Sequence, residues 1–192
     1  MASPSELGEE HGTLPPPALS PAPSVLIVAA PFYRKIADGL IAGARAVLDA
    51  AGAKHELIEV PGALEAPVAI RLAAETGAYE GYVALGCVIR GETTHYETVC
   101  NDSSRGLMLL GIERGLAVGN GILTCETMAQ AEVRADPVEM DKGGGAAAAA
   151  LHLIALARRC RRMPGGESAA PGDADILLAA TANRPGNQPG TA

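Results

Sequence analysis

Tyr82-Val83-Ala84-Leu85-Gly86-Cys87-Val88-Ile89-Arg90-Gly91-Glu92-Thr93-Thr94-His95-Tyr96-Glu97 is the stretch on which the fold turns. From Tyr82 to Ile89 the residues suit burial on both faces, as in a strand inside a parallel sheet rather than one with a wet side. Arg90 to Thr93 ends the apolar run. Thr94-His95-Tyr96-Glu97 then has the form of a capping box and predicts a helix running to about Gly115. A buried strand leading directly into a helix is half of a βαβ unit.

Working outward, the same alternation holds in both directions. Upstream, Val25-Leu26-Ile27-Val28 is a short apolar run of a buried strand. Ile36, Leu40, Ala44, Val47, Leu48 and Ala51 recur at helical spacing, and Gly52 supplies the stop. His55 to Val60 predicts a second strand, ended by Pro61-Gly62, and a helix follows from about Leu64 to Thr76. Downstream, Ala117 to Leu123 contains a fourth strand. Thr127-Met128-Ala129-Gln130 is a second capping-box match, on a short helix ending near Arg134. Past Pro137, the Ala-rich stretch from Gly145 to Arg162 predicts the last helix. Four buried strands separated by helices imply an α/β protein, a flavodoxin-like three-layer αβα sandwich with a four-stranded parallel sheet. Ligands of such sheets bind beyond the carboxyl ends of the strands, which selects the loops 30–34, 60–65, 88–95 and 120–127.

Composition narrows the function classes. The chain has 192 residues, 48% of them apolar and 3% aromatic, enough for one domain whose interior is filled by Ala, Val, Leu and Ile. That domain is expected over 24–162. Residues 1–23 and 163–192, rich in Pro, Gly and Ser, are expected to be disordered tails. The net charge is −7 and the only lysines are Lys35, Lys54 and Lys142, so no nucleic-acid partner is expected. Arg158, Arg159, Arg161 and Arg162 close the last helix and complement its dipole. No apolar run is long enough for a bilayer, and no membrane partner is expected. Cys87, Cys100, Cys125 and Cys160 have no metal-site spacing, and reduced cysteines are expected. No positive n-region precedes Arg34, so a cytoplasmic location is expected.

The selected loops carry a small set of chemistry-bearing side chains. Phe32, the only Phe, could stack on a planar ligand or cap the helix–sheet core. Pro61-Gly62-Ala63-Leu64-Glu65 permits a tight turn into a helix, with Glu65 either a ligand contact or a dipole partner. Backbone N–H groups around Gly91 to His95 would form an anion site at a helix start, and His95 beside it is either an acid–base group or a plain helix-start residue. Arg134 and Lys142 flank the loop before the last helix. Each could reach a phosphate or be surface charge. The glycines form neither a P-loop nor a dinucleotide fingerprint, and no cofactor or metal is expected.

Val60-Pro61-Gly62-Ala63-Leu64-Glu65-Ala66-Pro67, Leu85 to Tyr96, Gly121-Ile122-Leu123-Thr124, Gln130-Ala131-Glu132-Val133-Arg134 and Lys142-Gly143 together resemble the lumazine synthase family, in order and spacing. The resemblance covers nearly all of residues 24–162, and its Gly-x-Val-Ile-Arg-Gly-x-Thr-x-His string is far more specific than a lone glycine motif. It implies condensation of 5-amino-6-(D-ribitylamino)uracil with 3,4-dihydroxy-2-butanone 4-phosphate to 6,7-dimethyl-8-ribityllumazine. By the same resemblance, Phe32 stacks on the pyrimidine, Ala63, Leu64 and Glu65 hold the ribityl chain, and Cys87, Val88 and Ile89 offer backbone groups to the pyrimidine edge. Glu92, Thr93 and Arg134 hold the phosphate, Lys142 lies near it, and His95 is the catalytic histidine. Glu92 and Asn120 depart from the family pattern, which favours a small residue at the first and, at the second, an aromatic lent by a neighbouring subunit.

The resemblance further implies a homo-oligomer, a pentamer or a multiple of pentamers, with riboflavin synthase as a candidate partner. Met140-Asp141-Lys142-Gly143 replaces the Gly-Asn-Lys-Gly turn of shell-forming members, which favours pentamers or paired pentamers over a sixty-subunit shell. A flavin-binding protein without turnover and a shell subunit with incidental catalysis are the competing readings.

Overall fold

The structure is a computed structural model that describes residues 14–163. Within it, β1 (Ser24–Ala30), α1 (Arg34–Ala50), β2 (Lys54–Glu59), α2 (Glu65–Ala74), β3 (Gly81–Ile89), α3 (His95–Arg114), β4 (Ala117–Cys125), α4 (Met128–Ala135) and α5 (Lys142–Arg161) follow in order. The chain divides by its contacts after Ala157. Of the second unit, only the end of α5 and the residues to Met163 are described.

All strand pairs are parallel, in the order β2-β1-β3-β4. The winding therefore reverses between β1 and β3, a switch point that opens a crevice at the carboxyl edge. One face of the sheet packs Val25, Ile27, Ala29, Val83 and Leu85 against Ile36, Leu40 and Ala44 of α1, Ala131 and Ala135 of α4, and the alanines of α5. The other face packs Leu26, Val28, Tyr82 and Ala84 against Ala66 and Ile70 of α2 and Leu107 and Leu110 of α3. These are the three layers expected from the alternating pattern.

Not all four strands are buried on both faces. β1 and β3 are, but β2 and β4 form the two sheet edges. Only His55 and Leu57 of β2 are even half-buried, and β4 exposes Asn120 and Thr124. Edge position explains the polar residues of β2, which a reading by apolar content alone assigns to an interior strand.

The small residues of β4 and α5 have one cause. A Cβ on Gly119 would stand 1.9 Å from the Ala146 carbonyl oxygen, and one on Gly143 would stand 2.0 Å from the Leu40 carbonyl oxygen. Backbone lies on backbone there, so α5 needs Ala and Gly where it meets the sheet and α1. That contact also corrects the expected start of the last helix. It begins at Lys142, not Gly145, because Asp141 caps it: Gly144 N donates to Asp141 Oδ1 at 2.9 Å. Gly143 is there for close approach to α1, and Gly144 leaves room for the capping Asp141 side chain.

Of the expected tails, residues 1–13 and 164–192 lie outside the described residues. Residues 14–23 have no helix or strand, though Leu19 packs on the core and Lys54 N donates to Pro23 O at 2.9 Å. Among the described residues, no helix is long and apolar enough to cross a membrane.

Candidate active site

At the switch point lies a pocket of about 450 Å³, lined by Phe32, Tyr33, Pro61 to Glu65, Cys87 to Ile89, Gly91, Thr93, His95, Tyr96 and Val99. It gathers the ends of β1, β2 and β3 with the starts of α1, α2 and α3. Phe32 is 74% exposed, so one ring face is open at the mouth, while its edge meets Tyr33 at a centroid distance of 5.1 Å. Arg34, the first residue of α1, pairs both guanidinium nitrogens with Glu59 at the end of β2, at 2.6 and 3.0 Å. The pairing holds the Glu59 carboxyl below the usual carboxylate range and fixes the base of the loop that presents Phe32.

Strand pairing accounts for the polar wall of the pocket. β1 pairs with β3 only as far as Ala30↔Gly86, whereas β4 pairs with β3 as far as Ile89↔Cys125. Beyond Gly86 the β1-side edge of β3 therefore has no neighbouring strand, and backbone groups of Cys87 to Ile89 face the crevice instead. Helix capping supplies more donors. The helices that start at the pocket, α1, α2 and α3, have no side-chain hydrogen bond at their N-caps Tyr33, Leu64 and Thr94. α4 is capped by Thr127, whose Oγ1 accepts from Gln130 N at 3.3 Å, and α5 is capped by Asp141. Helix N–H groups without a side-chain acceptor suit a ligand that accepts hydrogen bonds.

The capping box expected at Thr94–Glu97 does not form. Glu97 turns instead to Arg90, whose guanidinium it binds, and His95 N donates to Thr93 Oγ1 at 3.4 Å. Arg90 is also held by Glu126 at 2.7 Å and lies 4.1 Å above the Tyr96 ring. Burial pushes the Cys87 thiol up to about 12, so it lines the pocket as a neutral group.

The site residues expected from sequence thus separate into two sets. Phe32, Ala63, Leu64, Glu65, Cys87, Val88, Ile89, Thr93 and His95 line the pocket, and Glu92 sits in the same turn with its side chain exposed. Asn120, Arg134 and Lys142 do not line it. Asn120 is inside β4 rather than in a loop after it, and its Oδ1 accepts from Ile122 N at 3.0 Å. Arg134 is in the last turn of α4, half-buried, with Nη1 donating to Gln130 O at 3.0 Å. Lys142 opens α5. Sequence reasoning missed Tyr96 and Val99 as pocket residues. Their spacing from His95, one and four residues on, puts Val99 on the same helix face and was the available signal. A second hollow of about 460 Å³, between α1 and the α4–α5 connection, holds Lys35, Glu132, Asp136 and Glu139. Its one lysine is already paired with Glu132 at 2.8 Å, which leaves nothing for an anion.

Comparison with known proteins adds the chemistry. A model of the family described as 6,7-dimethyl-8-ribityllumazine synthase matches residues 22–158. A protein of that name from Jannaschia sp. (strain CCS1) is 52% identical over 151 residues, which cover 79% of this chain and 84% of the relative. Those of Sphingopyxis alaskensis and Novosphingobium aromaticivorans are each 58% identical. The first match covers 69% of this chain and 93% of the relative, the second 70% and 96%.

Proposed function

Because the chain belongs to the 6,7-dimethyl-8-ribityllumazine synthase family, we propose that the switch-point pocket is its pyrimidine site and that a neighbouring copy of the chain completes it. The enzyme is a transferase of riboflavin biosynthesis and works as a homo-oligomer. It condenses 5-amino-6-(D-ribitylamino)uracil with 3,4-dihydroxy-2-butanone 4-phosphate to 6,7-dimethyl-8-ribityllumazine, releasing phosphate and water.

One observation carries the proposal. The expected pyrimidine and ribityl contacts converge on one pocket, while Asn120, Arg134 and Lys142, from β4, α4 and α5, lie outside it. Two half-sites on one chain suit a ring of identical copies in which each lends its second half to the next. Exposed apolar side chains on the outer helices support such packing: Val68 and Leu72 on α2, Met108 and Ile112 on α3.

In the completed site, Phe32 stacks on the pyrimidine, and the open backbone edge of Cys87 to Ile89 reads its polar rim. Ala63, Leu64 and Glu65, at the start of α2, hold the ribityl hydroxyls. The turn at Glu92-Thr93, the start of α3 and an Arg134 with Lys142 hold the phosphate. The substrate's 5-amino nitrogen attacks the ketone carbon, and loss of water gives an imine. A proton leaves the adjacent carbon as the C–O bond to phosphate breaks, and the resulting enol becomes a ketone as its terminal carbon takes up a proton and its hydroxyl loses one. The ribityl-bearing nitrogen then closes on the new carbonyl with loss of a second water. His95 moves the protons, and Arg134 with the helix start stabilises the departing phosphate. Holding two reactants in register supplies much of the acceleration.

The assembly is a pentamer or a pair of pentamers, since Asp141, with φ of 40°, makes a tight capped turn where shell-forming relatives have Gly-Asn-Lys-Gly. Residues 24–162 form the catalytic unit, and its four unpaired cysteines fit a cytoplasmic location. Riboflavin synthase, which consumes the product, is the candidate partner. Steady-state product formation with purified protein, alongside mass by light scattering, tests this. Turnover at pentamer or decamer mass is expected. An active monomer would contradict the shared site, and binding without turnover would favour the binding-protein reading.

A further inference from the structure

The chemistry above makes no use of Arg90, yet three groups hold its guanidinium. Nε donates to Glu126 Oε2 at 2.7 Å, Nη1 donates to Glu97, and the group lies 4.1 Å over the Tyr96 ring. Its backbone N–H also donates to Cys125 O at 3.0 Å. Arg90 is thereby tied at once to the first turn of α3, which carries His95, and to the connection between β4 and α4. From Glu126 the link continues. Glu126 N donates to Gln130 Oε1 at 2.9 Å, and Gln130 O accepts from Arg134 Nη1 at 3.0 Å.

We infer that Arg90 is a positioning residue of the phosphate site: through Glu97 and Glu126 it holds the start of α3 and the Arg134 side chain in fixed relation. The inference rests on the phosphate reading given above, and it works in the same way whether Arg134 serves its own pocket or a neighbour's. Two features exclude a direct anion contact for Arg90. Its charge faces two carboxylates, Glu97 and Glu126, and its flat face is covered by Tyr96. A lysine would keep the charge but not the fork that bridges two carboxylates.

Steady-state kinetics on the native oligomer, with each substrate varied, test this with Arg90→Gln, Arg90→Lys, Glu126→Gln, Arg134→Ala and the double variant Arg90→Gln/Arg134→Ala. Arg90→Gln should raise KM for the butanone phosphate about tenfold and move KM for the pyrimidine less than about twofold, as expected for coupled neighbours in one network. Arg90→Lys should recover only part of the loss, and Glu126→Gln should shift the same KM in the same direction. The double variant should cost less than the product of the two single effects. A residue with a merely structural role would lower the thermal midpoint and move both KM values together, and that result overturns the inference. So does an unchanged KM or a strictly multiplicative double variant. Should Arg90→Gln fail to assemble, Glu126→Gln, which keeps the side-chain size, decides between the same outcomes. If Arg134→Ala itself leaves KM for the phosphate substrate unmoved, the phosphate reading fails and this inference with it. If Arg134→Ala raises it and neither Arg90→Gln nor Glu126→Gln does, only the inference fails.

Discussion

Arg134 Nη1 donates a 3.0 Å hydrogen bond to the Gln130 carbonyl, one turn earlier in α4. The bond turns the guanidinium back along the helix and leaves its other donors for a ligand. A charge-assisted hydrogen bond contributes roughly 1.5–3 kcal/mol, or about 10 to 150-fold in binding. Arg134→Ala should therefore raise KM for the butanone phosphate by that order and leave KM for the pyrimidine little changed. Kinetics with each substrate varied measure the division, and an unmoved KM for the phosphate substrate rejects the assignment.

His95 lines the pocket at the exposed start of α3, open to solvent. Water can replace an imidazole in such a site, and the amine nucleophile belongs to the substrate. General acid–base help is typically worth about 10² to 10⁴ in rate, so His95→Ala should fall at or below the low end, roughly 10 to 100-fold in kcat. Binding of inorganic phosphate should persist. Full activity in the variant would make His95 only a helix-start residue.

Much of the fold and much of the lining of the candidate pocket were legible in the chain itself. The apolar run from Tyr82 to Ile89 and the helical spacing of Ile36, Leu40 and Ala44 are local patterns, and local patterns set element type. The strand-end rule then pointed to Phe32, Ala63 and His95 from their place in the chain alone. The failures came from contacts distant in sequence. Glu97 left the capping box for Arg90, whose guanidinium is held in place by Glu126, 36 residues further along the chain. The last helix takes in Gly143 and Gly144, ahead of the expected start at Gly145, and the Leu40 backbone, distant in sequence, leaves no room for a side chain at Gly143. Arg134 and Lys142 could be paired with the phosphate by resemblance, but no single-chain pattern says which copy's pocket they serve.

Cys87 offers a test of the pocket's interior. Its thiol is pushed up to about 12 by burial, with neighbouring Cys125 adding to the shift, and only a thiolate alkylates readily. Iodoacetamide at neutral pH should label exposed Cys160 and spare Cys87 while the protein is folded. Peptide mapping by mass spectrometry reads this out, and prompt labelling of Cys87 would mean that the pocket is wetter than described.

Glu97 gives the Arg90 clamp a pH dependence. The guanidinium holds its carboxyl below the usual range. A depressed folded value means that the stabilisation is present above the unfolded carboxylate pKa and lost as pH falls through the folded one. The thermal midpoint of Glu97→Gln should therefore lie slightly below the parent's at neutral pH and converge with it in acid, a small effect for a solvent-exposed pair. A gap that widens in acid would contradict the sign.

Gly119 tests the packing of α5 on the sheet. A Cβ there would meet the Ala146 carbonyl oxygen at 1.9 Å, and neither backbone can rotate away. Overpacking typically costs about 1–3 kcal/mol, so Gly119→Ala should sit at or above that range in denaturant melts. Gly91, with nothing near its Cβ position, is the control and should accept Ala with little change in stability. Equal stability of the two variants would refute the close approach.

The shared site is tested most directly by mixing subunits. His95→Ala and Arg134→Ala chains, each impaired alone, are unfolded together, reassembled and assayed for 6,7-dimethyl-8-ribityllumazine formation. If one copy's pocket is completed by its neighbour's Arg134, some mixed pockets pair an intact His95 with an intact Arg134. Activity should then rise well above the mean of the two parents. Activity that stays at that mean would place both residues in one chain's own site and contradict the account.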